Sequence, residues 1–301
     1  HRRLGHLHYA AIRKLHESGV IRATGGTPTE SCEGCIAGKM ARSKFRTGPF
    51  FRSSRIGKVI PSDVCGPFST GSSGAHYFVT FIDDFSRFIA VFPIKHKSDV
   101  LTTFKGFIAS LETEFGRQIV RELHSDNGGE YIGKEFKSFC LRSGIKQVTT
   151  VPHTPQQNGI AERENRTLVE GARSMMLETK MPRSSWSEAI VYAAYIRNRS
   201  PSRVLEGKSA HEARFGSVAD MSKIHVFGCK TYFYVHKCDR DKMSSKTKEG
   251  RFVGIAANQH GYLIRTKDGK LIASRDVRFW EGHDQNNDEC CDELSNRIAK
   301  Q

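Results

Sequence analysis

Hydrophobic and polar positions in the middle of the chain follow two different periods. The segments 77–83 and 88–93 are rich in aromatic and β-branched residues and enclose a short polar turn, which predicts a β-hairpin. From residue 100 to residue 115 apolar side chains recur every three or four positions, which predicts a helix that Ser98 caps and Gly116 ends. Strands followed by helices indicate an α/β fold with a mixed sheet. By the same criteria we predict strands at 119–123 and 145–150 and helices at 9–20, 136–141, 159–179 and 185–200.

Residues 225–279 follow a different pattern, in which short apolar runs are separated by polar turns. Asp268-Gly269 predicts a type I′ hairpin turn. This pattern is typical of a small all-β domain. The runs are 226–235, 251–255, 262–266 and 271–273.

Charge divides the chain further. The formal net charge is +15, but residues 1–55 carry eleven Lys and Arg against three acids, and residues 221–281 carry thirteen against six. The middle, 56–220, is nearly balanced, and the tail 282–301 is acidic. A nearly neutral segment between two basic ones predicts a catalytic domain whose two flanking segments bind a polyphosphate chain. The alternative, that the excess lysine only keeps the protein soluble, explains the total charge and not its partition.

The apolar segments and the cysteines argue against a membrane protein and against a secreted, disulfide-linked protein. No window approaches the ~20 apolar residues of a membrane span, and no basic-then-apolar leader precedes the first domain. A reducing compartment is therefore expected, with the scattered cysteines Cys65, Cys140, Cys229 and Cys238 as packed thiols. Because the first residue is a histidine, the sequence is expected to be a piece of a longer polypeptide.

Two histidines and two cysteines near the N-terminus have the spacing of a zinc site. Four residues lie between His1 and His6, 25 between His6 and Cys32, and two between Cys32 and Cys35. Imidazole nitrogen and thiolate sulfur suit tetrahedral Zn²⁺. The bound ion would stabilise the fold of a segment that is too short to bury a core of its own. A chance pair of cysteines beside surface histidines is the alternative, and His8 is an alternative first ligand.

Three carboxylates are candidates for a Mg²⁺ or Mn²⁺ site. Asp63 follows a short apolar strand, Asp126 follows a second strand, and Glu162 lies near the start of the long helix, with 35 residues between it and Asp126. Strand ends and a helix end can bring such residues together, and oxygen ligands suit these cations. Each acid alone is explained as well by a solvated charge or, for Asp126, by a cap within its turn.

The motifs containing these residues resemble the integrases of copia-type long-terminal-repeat retrotransposons. The resemblance runs from residue 1 to about 281, and it implies the zinc ligands and the three metal-binding carboxylates named above. It also implies a zinc-binding N-terminal domain (1–45), an RNase H-like core (59–220) and a small SH3-like β-domain (221–281). The run of basic residues before the core predicts a basic linker (46–58), and the polar, acidic end of the chain predicts a disordered tail (282–301). The matching motifs are HRRLGHLHY, CEGCIAGKM, SDVCGPF, YFVTFIDDFSRF, HSDNGGEY, PHTPQQNGIAERENRTL, IRNRSP, VFGCKTY and SRDVRFWE.

The resemblance also implies partners and a location. Double-stranded DNA, both the element ends and the target, is the expected substrate, and joining two ends at once implies a homo-oligomer. Upstream and downstream Pol polyprotein segments, a nuclear site of action and a cytoplasmic particle are expected as well. The predicted DNA-contacting residues are Lys39, Arg42, Lys44, Arg46, Asn158, Arg163 and Arg166, although Arg163 and Arg166 could instead pair with neighbouring acids on the helix.

Two positions depart from the family pattern. Pro61-Ser62-Asp63 stands where relatives have His-Ser/Thr-Asp, and Ile255 replaces the tyrosine of a Phe-x-Gly-Tyr motif. A proline in a central strand predicts one lost ladder hydrogen bond and a poorly aimed Asp63. These departures favour the alternative of a catalytically impaired DNA-binding remnant or domesticated copy. A cut-and-paste transposase is a third option, which the His/Cys segment and its order disfavour.

Overall fold

The chain forms two compact units, His1–Phe51 and Arg52–Gln301. The computed structural model describes residues 9–19, 22, 52–116, 118–149, 159–256 and 261–281. In the first unit the predicted N-terminal helix is confirmed as α1, Tyr9–Glu17.

A five-stranded mixed sheet of order β3-β2-β1-β4-β5 forms the base of the second unit. Its first three strands are antiparallel neighbours, which confirms the predicted hairpin, whereas β1, β4 and β5 run parallel. The strands are β1 (Val59–Cys65), β2 (Tyr77–Ile82), β3 (Ile89–Ile94), β4 (Glu122–Ser125) and β5 (Lys146–Thr149). The start predicted for β4 at residue 119 was wrong, because the backbone at Arg121 and Glu122 first donates to the carbonyl of Lys58.

Strand β1 lies between β4 and β2, and Pro61 lies where its two ladders meet. The parallel ladder with β4 ends at Pro61 opposite His124, and the antiparallel ladder with β2 begins one residue later, at Ser62 opposite Phe81. The carbonyl of Val59 accepts from Asp84 in the same register, so by strand alternation the nitrogen of Pro61 faces Ile82 of β2. Proline has no N–H to donate there, which agrees with the predicted loss of one ladder hydrogen bond. The predicted effect on the aim of Asp63 stays a prediction.

Helices cover both faces of this sheet. The helices of more than one turn predicted from the sequence are present, and the short α3 and α7 are additions. They are α2 (Val100–Phe115), α3 (Gly129–Ile132), α4 (Lys134–Arg142), α5 (Gly159–Glu178), α6 (Trp186–Arg199) and α7 (Ala210–Phe215). One apolar cluster, around Ile60, Phe81 and Phe104, fills the face under α2 and α4; a second, around Phe78 and Leu168, fills the face under α5 and α6.

Two predicted helix caps were wrong. Ser98 lies inside a 3₁₀ turn, Lys97–Asp99, and the carboxylate of Asp99 instead accepts from the backbone of His96 at 2.9 Å. The sequence Ser185-x-x-Glu188 predicts a capping box, but the Ser185 side chain makes no capping bond. The carboxylate of Glu188 accepts from Ser187 at 2.9 Å and from Ser72. At Glu188 a tertiary partner thus replaces the local one, whereas at Asp99 the partner is a near neighbour in sequence.

The C-terminal part of the second unit is a five-stranded antiparallel sheet of order β10-β6-β7-β8-β9, which confirms the small all-β domain. The strands are β6 (Lys230–Tyr234), β7 (Thr247–Ile255), β8 (Tyr262–Thr266), β9 (Leu271–Ser274) and β10 (Val277–Trp280), of which β10 was not predicted. The predicted type I′ turn was wrong: of Asp268 and Gly269, only Gly269 has a positive φ, 82°. The Gly269 N–H donates to Thr266, so a type I turn is followed by one left-handed glycine.

Helix α6 lies between the two sheets and joins their interiors. Nine of its fourteen residues are buried, so it contacts a packed layer on more than one side. The Tyr192 ring meets Phe252 of β7 edge-on at 5.1 Å, and its hydroxyl donates to the carbonyl of His225 at 2.7 Å. Arg265 of β8 donates to the hydroxyls of Ser184 and Ser185 at 3.1 and 2.8 Å. The β-domain is therefore packed onto the core through α6 and the turn before it.

Four cysteines lie within the described ranges. Cys140 and Cys229 are buried and Cys65 is partly buried, whereas Cys238 is exposed, so the prediction of a packed thiol there was wrong. Cys238 lies in a 3₁₀ turn between β6 and β7, beside exposed His236. Among the helices the structure describes, none combines the length and hydrophobicity needed to cross a bilayer.

Candidate functional site

Two of the predicted carboxylates lie on neighbouring parallel strands. Asp63 is in β1, and Asp126 directly follows β4. The β1–β4 register pairs Pro61 with His124, so two more residues along each strand bring Asp63 level with Asp126. Parallel strands keep this spacing because their carboxyl ends share one edge of the sheet. The turn after Asp126 is held by the Gly128 N–H, which donates to its carboxylate at 3.0 Å.

The third carboxylate, Glu162, is exposed in the first turn of α5. The buried positions of this helix are 161, 165, 168 and 172, spaced by three and four, which fixes the face that α5 turns to the sheet. Glu162 is next to the first of these, so it lies at the border of the buried face. Arg197 of α6 forms a two-bond ion pair with Glu164, at 2.9 and 3.0 Å, and anchors the same end of the helix.

The Asp63 carboxylate responds to the charges of the other two. Burial, together with the negative charges of Asp126 and, more weakly, Glu162, raises the pKa of Asp63 to about 6. A hydrogen bond from Asn165 acts in the opposite direction. Within the described residues none of the three carboxylates forms an ion pair with Lys, Arg or His. The repulsion at Asp63 is therefore not relieved by a described protein cation.

A buried amide connects Asp63 to the helix that carries Glu162. Asn165, 3% exposed, donates from Nδ2 to Asp63 Oδ2 at 2.9 Å and accepts at Oδ1 from the hydroxyl of Thr80 on β2, also at 2.9 Å. Sequence reasoning missed both residues. A signal was present, since Asn165 is the polar member of an otherwise apolar helical stripe and Thr80 the polar member of a buried apolar strand.

A second side-chain bond connects β1 to the segment after Asp126. The hydroxyls of Ser62 and Tyr131 lie 2.7 Å apart, and both residues are buried. Burial raises the pKa of Tyr131 well above its ordinary value, so the phenol stays neutral. Ser62 precedes Asp63 and points to the opposite face of the sheet, because side chains alternate along a strand. The part of β1 that carries Asp63 is thus held from both faces of the sheet.

The donor set suits a hard divalent cation. Carboxylate oxygens are the ligands that Mg²⁺ and Mn²⁺ prefer, and the clustered charge that raises the pKa of Asp63 is what a cation would relieve. The three groups do not form a closed cage, however. Across the part of the chain that the structure describes, no three His, Cys, Asp or Glu side chains are grouped closely enough to hold a metal ion.

Some neighbouring residues have structural roles or no described partner. Asp83 accepts from the backbone of Gly57 and Ser86 at 2.7 and 2.9 Å, so its role is to hold the turn after β2. Arg163 and Arg166 are exposed beside Glu162, and within the described ranges neither forms the predicted ion pair. Arg163 instead donates to the carbonyl of Gly159 at 2.7 Å.

Other predicted site residues lie outside the described residues, so their predictions stay as predictions. This applies to the zinc ligands His1, His6, Cys32 and Cys35, to the alternative ligand His8, and to the DNA-contacting candidates Lys39, Arg42, Lys44, Arg46 and Asn158.

Known families match both parts of the second unit. The integrase core domain family matches residues 54–155, and the retroviral polymerase SH3-like domain family matches residues 229–292. The chain is 41% identical to the retrovirus-related Pol polyprotein from transposon TNT 1-94 of Nicotiana tabacum, over 93% of this chain and 21% of that protein. It is 32% identical to the corresponding polyproteins from transposons RE2 and RE1 of Arabidopsis thaliana, over 93% and 89% of this chain. The chain spans about one-fifth of the length of these relatives.

A solved structure shares the fold at low identity. It is a chain from the simian T-cell lymphotropic virus intasome in complex with PP2A regulatory subunit B56 gamma, with a TM-score of 0.50 and 18% identity over 90% of this chain and 99% of that one. The core sheet with its flanking helices and the C-terminal β-sheet thus form a mixed α/β RNase H-like integrase core followed by an SH3-like domain. With both domain families matched in order and relatives aligned over nearly its whole length, the chain carries an integrase core domain and a retroviral polymerase SH3-like domain and is similar to the Pol polyproteins of copia-type transposons.

Proposed function

We propose that this chain joins retrotransposon DNA ends to target DNA by metal-dependent phosphodiester exchange. The observation that carries the proposal is the register of β1 and β4, which brings Asp63 level with Asp126 while Asn165 connects Asp63 to the helix of Glu162. The three carboxylates Asp63, Asp126 and Glu162 are the proposed metal ligands. When bound, a pair of Mg²⁺ or Mn²⁺ ions would favour attack by one oxygen and departure of another.

The proposed reaction has two exchanges at phosphorus. Water first hydrolyses a phosphodiester near the 3′ end of the element DNA, and the freed 3′-hydroxyl then attacks a target phosphodiester. In each exchange one P–O bond forms as another breaks, the attacking oxygen gives up a proton and the departing oxygen gains one. Because the exchange is direct, we assign no nucleophilic side chain. The chain's own work is to hold the carboxylates and, through exposed Arg163 and Arg166 beside Glu162, to orient the phosphate backbone.

The proposed partners follow from the family. Double-stranded DNA and a homo-oligomer are supported by the integrase core match and by the fold shared with a chain from a viral intasome. Flanking Pol polyprotein segments are supported by relatives that are about five times longer. We infer action in the nucleus, where target DNA is found.

Neutralising the carboxylates tests the proposal. Asp63→Asn, Asp126→Asn and Glu162→Gln should each lower the strand-transfer rate by about three orders of magnitude, or about 4 kcal/mol of barrier, because they share one metal site. Glu170→Gln, which removes an exposed charge from the same helix, is the matched control and should keep wild-type activity. The measurement is strand transfer of a labelled element end with Mg²⁺ or Mn²⁺, with DNA affinity measured in parallel. A variant with near-full activity would exclude its residue from the site.

The second candidate, a catalytically impaired DNA-binding remnant, depends on Pro61. In that case wild type would bind DNA without joining ends, and Pro61→His would restore joining. The position of Asp63 argues against this candidate, because Asp63 lies level with Asp126 and is bonded by Asn165 although Pro61 precedes it. We therefore expect an active wild type and no gain from Pro61→His in the same assay.

A further inference from the structure

The hydrogen bonds around Asn165 point to a role beyond packing. An ionised carboxylate only accepts hydrogen bonds, so the amide nitrogen of Asn165 must face Asp63 and its oxygen must face the donor on the other side, Thr80. The Thr80 hydroxyl has one hydrogen, and Asn165 Oδ1 at 2.9 Å is nearer than the Asp63 carbonyl at 3.3 Å. The three side chains therefore form a directed chain from Thr80 through Asn165 to Asp63.

This chain leaves lone pairs of the Asp63 carboxylate for a ligand. Asn165 bonds to Oδ2 of Asp63 and the Val64 N–H also bonds to this carboxylate, whereas no described side chain donates to Oδ1. Asp63 is half-buried, whereas Asn165 and Thr80 are fully buried, so the bonded oxygen faces the interior. A carboxylate held by one oxygen loses rotational freedom and presents the other in a fixed direction.

The same amide sets the distance between two candidate ligands. Asn165 lies three residues after Glu162, almost one helical turn, on a helix that is rigid over this length. Its bond to Asp63 therefore also fixes how far the first turn of α5 lies from β1. Loss of the bond would affect both the aim of Asp63 and its spacing from Glu162.

We propose that Asn165, oriented by Thr80, is a positioning residue that aims the Asp63 carboxylate at a divalent cation and sets the spacing of Glu162. This inference rests on the proposed function, because it assigns Asp63 and Glu162 to one metal site. Partners that orient metal ligands alter metal affinity or activity by about 10- to 100-fold when removed. A residue that only packs the helix would lower stability and leave the metal dependence unchanged.

The test compares two buried asparagines in the full chain. Asn198 of α6 is 4% exposed and also makes two hydrogen bonds, to the N–H and C=O of Ile89, both 2.8 Å. Asn165→Ala and Asn198→Ala remove the same groups at similar burial, and both should lower thermal stability. Only Asn165→Ala should weaken Mn²⁺ binding, measured from the electron paramagnetic resonance of free Mn²⁺, and raise the half-saturating Mn²⁺ concentration for strand transfer, each by about 10- to 100-fold.

A second pair of variants covers the case in which Asn165→Ala does not fold. Thr80→Val keeps the side-chain shape and removes the hydroxyl that orients the amide, and it should weaken Mn²⁺ binding about three- to ten-fold. Thr80→Ser keeps the hydroxyl and should restore binding.

Three results would overturn the inference. If Asn165→Ala matched Asn198→Ala in Mn²⁺ binding, or if Thr80→Val bound Mn²⁺ like wild type, Asn165 would have no positioning role. If wild type itself neither bound Mn²⁺ nor transferred strands, the proposed function would fail and this inference with it.

Discussion

The two five-stranded sheets of this protein place their polar groups in opposite ways. The core sheet and helix α5 bury three polar side chains around Asp63, namely Ser62, Thr80 and Asn165. Thr80 and Asn165 bond to each other, Asn165 also bonds to Asp63, and Ser62 bonds to Tyr131. The β-domain sheet has an apolar, aromatic interior and carries its ionic groups outside, where Glu249 pairs with Lys230 and Lys267 at 3.6 and 3.2 Å. Buried polar groups act through geometry, whereas exposed charges act through their summed field. Changes in the core sheet should therefore have large, local effects, and changes on the β-domain small effects that depend on salt.

The largest effect expected on stability comes from the Asp63 charge in metal-free protein. Its pKa of about 6, against 3.8 ordinarily, means that between about pH 4 and pH 6 the folded protein keeps a proton that the unfolded chain releases. The free energy of unfolding should therefore fall as pH rises through this window, by at most about 3 kcal/mol, and change little from this group above it. Asp63→Asn should flatten the curve, and the exposed Glu170→Gln should not. Urea unfolding in chelator from pH 4 to pH 7 measures this, and parallel curves for wild type and Asp63→Asn would contradict it.

Buried hydroxyls in the two sheets provide the next comparison. Ser62→Ala removes the partner of the buried Tyr131 hydroxyl and should cost about 1–3 kcal/mol, and Ser62→Ala with Tyr131→Phe should recover part of that loss. Thr231 of β6 is also fully buried, but its hydroxyl has no hydrogen-bond partner among the described residues. Thr231→Val should therefore be neutral or stabilising. The measurement is denaturant unfolding of wild type and the three variants. A loss in Thr231→Val as large as that in Ser62→Ala would remove the distinction between the sheets.

The smallest effect is expected on the outer surface of the β-domain. A cleft of about 440 Å³ between the end of α5 and strands β7 and β8 is lined by one acid, Glu249, and four cations, Lys180, Arg251, Arg265 and Lys267. Glu249→Gln would free two lysines for phosphate, so non-specific DNA affinity should rise a few-fold. Its salt dependence should steepen by about 0.9 in log K per log[salt] for each new contact.

The control for this surface is Asp268→Asn, which frees only Lys270, paired at 3.6 Å. It should have about half the effect of Glu249→Gln. Fluorescence anisotropy over a salt series measures both variants, and a slope unchanged in Glu249→Gln would show that this surface only solubilises the protein.

Local patterns in the sequence determined most elements of the fold. The hairpin β2–β3, the helix α2 with its stop at Gly116, the long helix α5 and the change to short strands after residue 225 all follow from side-chain periodicity, which the burial of one face imposes. Asp63, Asp126 and Glu162 were candidates because strand ends and helix starts are visible locally. Their grouping was supported by resemblance to a family and not by spacing alone.

Tertiary structure alone decided the features that depend on partners distant in sequence. Ser185 and Glu188 have a capping-box pattern, yet the Ser185 hydroxyl accepts from Arg265, 80 residues away, and Glu188 accepts from Ser72. For Pro61, only the register with β2 and β4 shows which ladder hydrogen bond the missing N–H removes. Asn165 looked like an ordinary helix residue until α5 packed on β1 and gave its amide the Asp63 carboxylate as a partner. A local pattern fixes which face of an element is buried, but the group that meets a buried polar atom is set only when elements distant in sequence pack together.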